Sequence, residues 1–115
     1  MKHIMKLNAA PFEMIRSGRK TIELRLYDEK RRRVSVGDEI EFVSSENPAL
    51  SLHFRVTALH RFSSFEELYR SLPLLSCGYT EENLSTASPE DMDTYYSREE
   101  QERWGVLGIE IQACD

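Results

Sequence analysis

Alternation of apolar and polar positions predicts a strand near the start of the chain. In residues 20–28 (KTIELRLYD), Ile22, Leu24 and Leu26 alternate with polar or charged side chains. This period of two places every second residue on one face of a strand. The same alternation predicts a strand at residues 50–62. Further strands are predicted at residues 3–7 and 39–45, and an apolar run predicts the last strand at residues 104–113. The chain is therefore predicted to be rich in short strands.

Helical segments are predicted between these strands. Residues 9–18 are expected to form a short helix that ends at Gly18, since glycine adopts the left-handed conformation of a helix terminus without strain. Residues 63–72 form the second predicted helix, and residues 88–104 are predicted to be helical in parts. Within this last segment, Ser97 and the glutamate three residues later have the spacing of a capping box. The combined pattern predicts an α+β fold, a small curled sheet or β-barrel with a few flanking helices.

The composition fits one globular domain spanning residues 1–115. Hydrophobic residues make up 40% of the chain, enough for a small core. No apolar run approaches the roughly 18 residues of a membrane span, and we expect no membrane association. The two cysteines, Cys77 and Cys114, match no metal-binding spacing. We therefore expect a reduced, cytoplasmic protein without a metal or cofactor.

Basic and acidic residues are concentrated in different parts of a chain whose formal net charge is −5. Residues 16–33 contain eight Lys or Arg against three Asp or Glu. Residues 81–102 contain eight Asp or Glu against one Arg, with Arg103 just beyond. Either the two segments neutralise each other, or the basic segment lines a positive cleft for an anion. The acidic total favours a small ligand or short single strand over a long duplex.

The sequence GRKTIELR at residues 18–25 fits the pattern G-x-K-x-x-E-x-R. VGDEIEF follows at residues 36–42, and YYSREEQERWGVLGIEI closes the chain at residues 95–111. Together these segments resemble the ASCH domain, a member of the PUA-like group of small β-barrels. The resemblance covers nearly the whole chain in order. It implies a barrel with a cleft beside the motif strand, and an association with RNA.

The resemblance also implies enzymatic activity as an alternative, because a few family members are enzymes. One small bacterial branch hydrolyses the acetyl amide of N4-acetylcytidine and uses the lysine that matches Lys20. This chain departs from that branch at Glu23, where the branch has a threonine that supplies the nucleophile. Other relatives are ribonucleases.

Lys20, Glu23 and Arg25 are the candidate residues within the motif. A lysine at the start of a strand can bind a phosphate. When it is desolvated, its pKa falls and it can act as a base. Glu23 and Arg25 are two apart and share a face, either as an ion pair in the barrel wall or as an acceptor and a donor for a ligand. Strict alternation places Lys20 on the opposite face from Glu23. A twist or bulge near Gly18 is needed for both to face one cleft.

Further candidates lie inside and outside the motif. Tyr95 and Tyr96 suit stacking on a nucleobase, with core packing as the alternative. Lys30–Arg33 is either a phosphate-contacting arm or a solvated loop. The predicted ligand contacts are thus Thr21, Arg25, Tyr95, Tyr96 and Ser97, and the predicted phosphate contacts are Lys30, Arg31, Arg32 and Arg33.

Three functional hypotheses follow. The first is an RNA- or nucleoside-binding protein whose charged cleft is built on the GRKTIELR strand. The second is a small hydrolase acting on a modified nucleoside or on RNA, with Lys20 and Glu23 as the catalytic pair. The third is a protein-interaction domain without a small-molecule site at the motif. The sequence does not decide among them, nor does it determine the oligomeric state.

Overall fold

The computed structural model describes residues 1–114, in which five strands form one sheet. The strands are β1 (Lys2–Leu7), β2 (Ile22–Leu26), β3 (Glu39–Ser44), β4 (Ser51–Phe62) and β5 (Val106–Ala113). Their order in the sheet is β1-β3-β4-β5-β2, with β1 parallel to β3 and every other pair antiparallel. The sheet curls into a half-barrel. The predicted α+β class and curled sheet are confirmed.

Three α-helices flank the sheet: α1 (Ala9–Arg16), α2 (Phe65–Ser71) and α3 (Arg98–Trp104). Short 3₁₀ helices occupy Arg31–Arg33, Leu74–Cys77, Leu84–Thr86 and Pro89–Thr94. Ser64 caps α2 by accepting a hydrogen bond from the Glu67 N–H, and Ser97 forms the predicted capping box at α3. No helix within residues 1–114 has the length and apolar character needed to cross a membrane.

The edge strands β1 and β2 face each other across the open side of the curled sheet, a gap that we call the seam. Arg25 on β2 bridges it, because its Nη2 donates a hydrogen bond of 2.9 Å to the carbonyl oxygen of Lys6 on β1. A side chain therefore joins the two edges at this point, where the backbones of a closed barrel would be paired.

Strand β2 is buried on both faces, because it lies between two hydrophobic clusters. Ile22, Leu24 and Leu26 pack into an outer cluster beneath α2 and the helical segments. The inner cluster fills the curled sheet around Phe42, Leu107 and Ile109. The inner cluster consists of Met5, Leu7, Phe12, Ile15, Val34, Ile40, Phe42, Val56, Leu107, Ile109 and Ile111. The polar residues of β2 are consequently held in a largely desolvated setting.

The predicted strand at 20–28 is too long at both ends, since β2 spans only Ile22–Leu26. Lys20 precedes the strand, and its N–H donates to the carbonyl of Met14 in α1. The period of two therefore does not govern its side chain. The segment between α2 and α3 contains three 3₁₀ helices, at Leu74–Cys77, Leu84–Thr86 and Pro89–Thr94.

Candidate functional site

A cavity of about 410 Å³ opens at the seam, beside the motif residues. Its walls come from β2 and the residues just before it, the end of β1, α1, α2 and the segment between α2 and α3. The lining includes Lys6, Asn8, Met14, Lys20, Glu23, Arg25, Tyr69, Cys77, Gly78, Tyr79, Asn83, Asp91, Met92, Tyr95 and Tyr96. The volume lies in the range of small-molecule sites, about 300–1,000 Å³.

A three-residue ion cluster forms the floor of this cavity. Lys20 Nζ lies 2.9 Å from Glu23 Oε1, and Arg25 Nε donates to Glu23 Oε2 at 2.8 Å. Glu23 is only 3% exposed. Each carboxylate oxygen thus has its own cationic partner, as a buried charge requires.

Glu23 and Arg25 favour each other's ionised form. Burial alone raises the pKa of the Glu23 carboxyl, but the charges and hydrogen bonds of Lys20 and Arg25 outweigh it and leave the pKa lowered. Burial likewise lowers the pKa of Arg25, and the Glu23 carboxylate more than reverses this. With Lys20 as a cation, the cluster carries two positive charges and one negative charge. The floor therefore favours an anion or an electron-rich group.

Gly78 packs against the Lys20 side chain. Its φ of +112° lies in the region that favours glycine, and a Cβ added there would come within 3.3 Å of Lys20 Cδ and 3.7 Å of Lys20 Nζ. The preceding residues are fixed to the motif, because the Thr21 N–H donates to the carbonyl of Ser76 at 2.9 Å. The 3₁₀ helix Leu74–Cys77 therefore helps to position the lysine.

We expect the variant Gly78→Ala to disturb this position. The left-handed conformation should lower the free energy of unfolding by about 1–2 kcal/mol. Displacement of Lys20 should also weaken, by about tenfold, the binding of the nucleoside ligand that the sequence predicts; this corresponds to one charge-assisted hydrogen bond. Urea denaturation and calorimetric titration with cytidine monophosphate measure the two effects.

The matched control is Gly37→Ala. Gly37 has φ of +94°, and its added Cβ would have no neighbour within 4 Å. This variant should lose similar stability and keep its ligand affinity. Equal loss of affinity in both variants would contradict the positioning role of Gly78.

Aromatic side chains form another part of the cavity wall. Tyr96 stacks on Phe65 with ring centroids 6.2 Å apart, and burial raises the pKa of its phenol. Tyr95 is 60% exposed at the rim. The Tyr79 hydroxyl donates to Asp91 Oδ2 at 2.7 Å. With Tyr95 exposed, the wall presents a free aromatic face beside neutral phenol groups.

The structure brings five of the predicted site residues together in this cavity: Lys20, Glu23, Arg25, Tyr95 and Tyr96. The side chains of Lys20 and Glu23 meet despite the expected opposite faces, because Lys20 lies before the strand. Thr21 is exposed and is not part of the lining. Ser97 also lies outside the lining, and its Oγ accepts the Glu100 N–H at the start of α3.

The basic run lies beside a second depression, farther along β1. Lys30, Arg31 and Arg33 line this space of about 320 Å³ together with Met1–Met5. Arg31 Nε is buried and has no hydrogen-bond partner within residues 1–114. Burial lowers the pKa of Arg31, and the nearby Arg25 lowers it further. Arg32 is not part of this lining and packs over the Tyr27 ring.

Several lining residues were not predicted from the sequence as members of the site. The Tyr69 and Tyr79 hydroxyls lie 2.7 Å apart, so Tyr69, Tyr79 and Asp91 form a hydrogen-bonded chain. Cys77 is buried, and burial raises the pKa of its thiol to about 11. Cys77 is therefore a protonated packing residue at neutral pH. The sequence signal for this part of the lining is Gly78, because a glycine often marks an unusual backbone conformation.

The two charged segments do not neutralise each other directly. Among residues 1–114, no ion pair within 4.0 Å joins residues 16–33 to residues 81–102. The same part of the chain contains no group of three or more His, Cys, Asp or Glu arranged to hold a metal ion.

Comparison with known proteins identifies the family. The family model of the ASCH domain matches residues 5–114. The chain belongs to the ASCH domain family. Its half-barrel with flanking helices is the small α+β fold of the PUA-like type. No curated protein matches the chain.

Two solved structures resemble this ASCH domain over its whole length. The crystal structure of hypothetical protein PH0355 is 30% identical, covers 99% of this chain and 100% of its own, and gives a TM-score of 0.80. The solution NMR structure of protein PF0455 from Pyrococcus furiosus is 32% identical. It covers 100% of this chain and 99% of its own, and gives a TM-score of 0.72.

Proposed function

We propose that this ASCH domain protein binds RNA or a nucleoside ligand, with the nucleobase in the cavity at the seam. The observation that carries this proposal is the buried, ionised cluster of Lys20, Glu23 and Arg25 on the floor of a cavity of small-molecule size. Such a floor offers cationic donors and a carboxylate acceptor side by side. A nucleobase edge has complementary acceptors and donors.

The aromatic wall suits the face of a base. Tyr95 is the exposed ring at the rim, and Tyr96 is held behind it with the two ring centroids 6.5 Å apart. Stacking of a base on one aromatic ring contributes about 1–3 kcal/mol to binding. A base would thus meet polar groups at its edge and Tyr95 at its face.

The second depression supplies the phosphate contacts in this proposal. Lys30, Arg31 and Arg33 line it together, and their cationic groups are suited to phosphate oxygens. Met1–Met5 line this depression and Lys6 lines the cavity, so the two spaces follow one another along β1. The net charge of −5 favours a nucleotide or short single strand over a long duplex.

Hydrolysis of a modified nucleoside or of RNA is the second candidate. The proximity of Lys20 Nζ to the ionised Glu23, at 2.9 Å, favours it. Both oxygens of Glu23 are already engaged by cations, however, so the carboxylate is poorly placed as a general base. The hydroxyls of Thr21 and Ser97 lie outside the lining. Binding is therefore the function that the geometry supports best.

The variant Lys20→Ala separates these functions. We expect it to weaken binding of cytidine monophosphate or a short single-stranded RNA by about 10–100-fold, the loss of one strong charged contact. Calorimetric titration measures this effect. The matched control is Arg19→Ala, because Arg19 is the adjacent cation, is exposed and lies outside the cavity.

Incubation with N4-acetylcytidine and with the RNA, followed by liquid chromatography, tests hydrolysis. Product formed by the wild type and absent with Lys20→Ala would replace the binding function by the hydrolase. Ligand affinity that is equal in Lys20→Ala, Arg19→Ala and wild type would refute the proposed site.

A further inference from the structure

Three exposed arginines contact two half-buried aromatic rings outside the cavity. Arg61 Cζ lies 4.2 Å from the ring centroid of Tyr27, and Arg32 Cζ lies 4.6 Å from the same centroid. Arg32 is also 5.9 Å from the Trp104 centroid, and Arg103 is 4.9 Å from it. We call Arg61, Tyr27, Arg32, Trp104 and Arg103 the arginine ladder. These distances are within the roughly 6 Å of a cation–π interaction.

The sheet register assembles the ladder at one end of three strands. Tyr27 directly follows β2, Arg61 is the penultimate residue of β4, and Trp104 precedes β5 by two residues. Leu26 and Phe62 both pair with Val106, which brings these three ends together. The ladder is therefore held by the sheet itself.

The positive charges of the ladder lack acidic partners. Within residues 1–114, no carboxylate oxygen lies within 4.0 Å of a side-chain nitrogen of Arg32, Arg61 or Arg103. Arg55 and Arg98, by contrast, have carboxylates at 3.8 Å and 3.1 Å. Arg32 and Arg61 carry like charges beside the same ring, and a bound anion would offset their mutual repulsion.

We propose that the arginine ladder binds the phosphate backbone of a single-stranded RNA. Exposed guanidinium groups present paired N–H donors that match phosphate oxygens, and the rings fix their planes in advance. This surface is distinct from the cavity and from the depression lined by Lys30, Arg31 and Arg33. It extends the proposed function, because it makes an oligonucleotide a better ligand than a mononucleotide.

The position of the ladder favours RNA over an acidic protein. Tyr27 follows Arg25 of the cavity floor by two residues, a distance of about 7 Å along an extended chain. Arg32 likewise follows Arg31 of the second depression directly. A strand whose base occupies the cavity thus reaches the ladder with its neighbouring phosphates.

The double variant Arg61→Gln, Arg103→Gln tests this proposal. Its matched control is Arg55→Gln, Arg98→Gln, which removes the same charge from exposed arginines that already have acidic partners. Affinity for a single-stranded oligouridylate of about ten nucleotides is measured over a series of salt concentrations. We expect the ladder variant to bind about tenfold or more weakly. Its log K against log salt slope should fall by about 1.4, or about 0.7 per lost phosphate contact.

Two further titrations distinguish a failure of the ladder proposal from a failure of the proposed cavity site. Cytidine monophosphate should bind the ladder variant as it binds the wild type, whereas Lys20→Ala should reduce this binding. A normal oligouridylate affinity and salt slope in the ladder variant would overturn the ladder proposal and leave the cavity intact. If polyglutamate bound the wild type as tightly as RNA and lost this affinity in the ladder variant, the surface would be a protein-binding one and the RNA assignment would be wrong.

Discussion

Replacing Glu23 by leucine is expected to lower the free energy of unfolding by about 3–5 kcal/mol. The variant leaves Lys20 and Arg25 without their only carboxylate contacts within 4.0 Å in residues 1–114. Both side chains are largely buried, with exposed fractions of 11% and 16%. Two neighbouring buried cations without a counter-charge are unfavourable both through desolvation and through mutual repulsion. Urea denaturation monitored by Trp104 fluorescence measures the change.

An exposed ion pair supplies the control for this prediction. Glu13 contacts Arg16 on the surface of α1, where both side chains are about half exposed. Glu13→Leu removes a carboxylate by the same chemical change, but we expect no measurable shift of the urea midpoint, since exposed pairs contribute little. A midpoint for Glu23→Leu that matches Glu13→Leu would show that the buried cluster does not stabilise the fold.

Replacing the whole ion cluster should restore the stability that the single variant loses. In the triple variant Lys20→Met, Glu23→Leu, Arg25→Met, no buried charge of the cluster remains unpaired. Buried ion clusters replaced by apolar residues of similar size are often as stable as the original. We expect the free energy of unfolding to return to within about 2 kcal/mol of the wild type, with the remaining loss due to the missing hydrogen bond from Arg25 to the Lys6 carbonyl.

In the triple variant, ligand affinity should be lost even though the stability is restored. Without its donors and acceptor, the cavity should lose measurable affinity for cytidine monophosphate, although the fold is intact. Circular dichroism and calorimetry test the two statements on one sample. A triple variant as unstable as Glu23→Leu would mean that these residues are required mainly for the structure. A stable triple variant that still binds the nucleotide would remove the cluster from the site.

The sequence was informative about the strands and about the motif. The predicted strands lie within a few residues of the observed ones. Period-two alternation located β2 and β4, and an apolar run located β5, which is buried on both faces over most of its length. Alternation failed at Lys20, which it places opposite Glu23. The true β2 begins only at Ile22, and the backbone before it is fixed by a hydrogen bond to Met14 rather than by sheet pairing. Local periodicity contains no information about such a contact.

The sequence does not predict the part of the cavity wall formed by Tyr69, Tyr79 and Asp91, for a different reason. Tyr69, Tyr79 and Asp91 come from separate segments and meet only through tertiary packing. The arginine ladder is similar, since Arg61 and Arg32 approach Tyr27 through the register of the sheet. A lone tyrosine or arginine has no sequence signature that distinguishes a packing role from a binding role.

The most direct test of the central claim is an amide NMR titration of the wild-type protein with cytidine monophosphate. Binding in the seam cavity predicts saturable shifts of the backbone signals of Lys20, Glu23, Gly78 and Tyr95, which all line this space. The exposed Glu13 should not shift. Shifts confined to residues away from the cavity, or the absence of any shift at saturating nucleotide, would contradict the proposed nucleoside site.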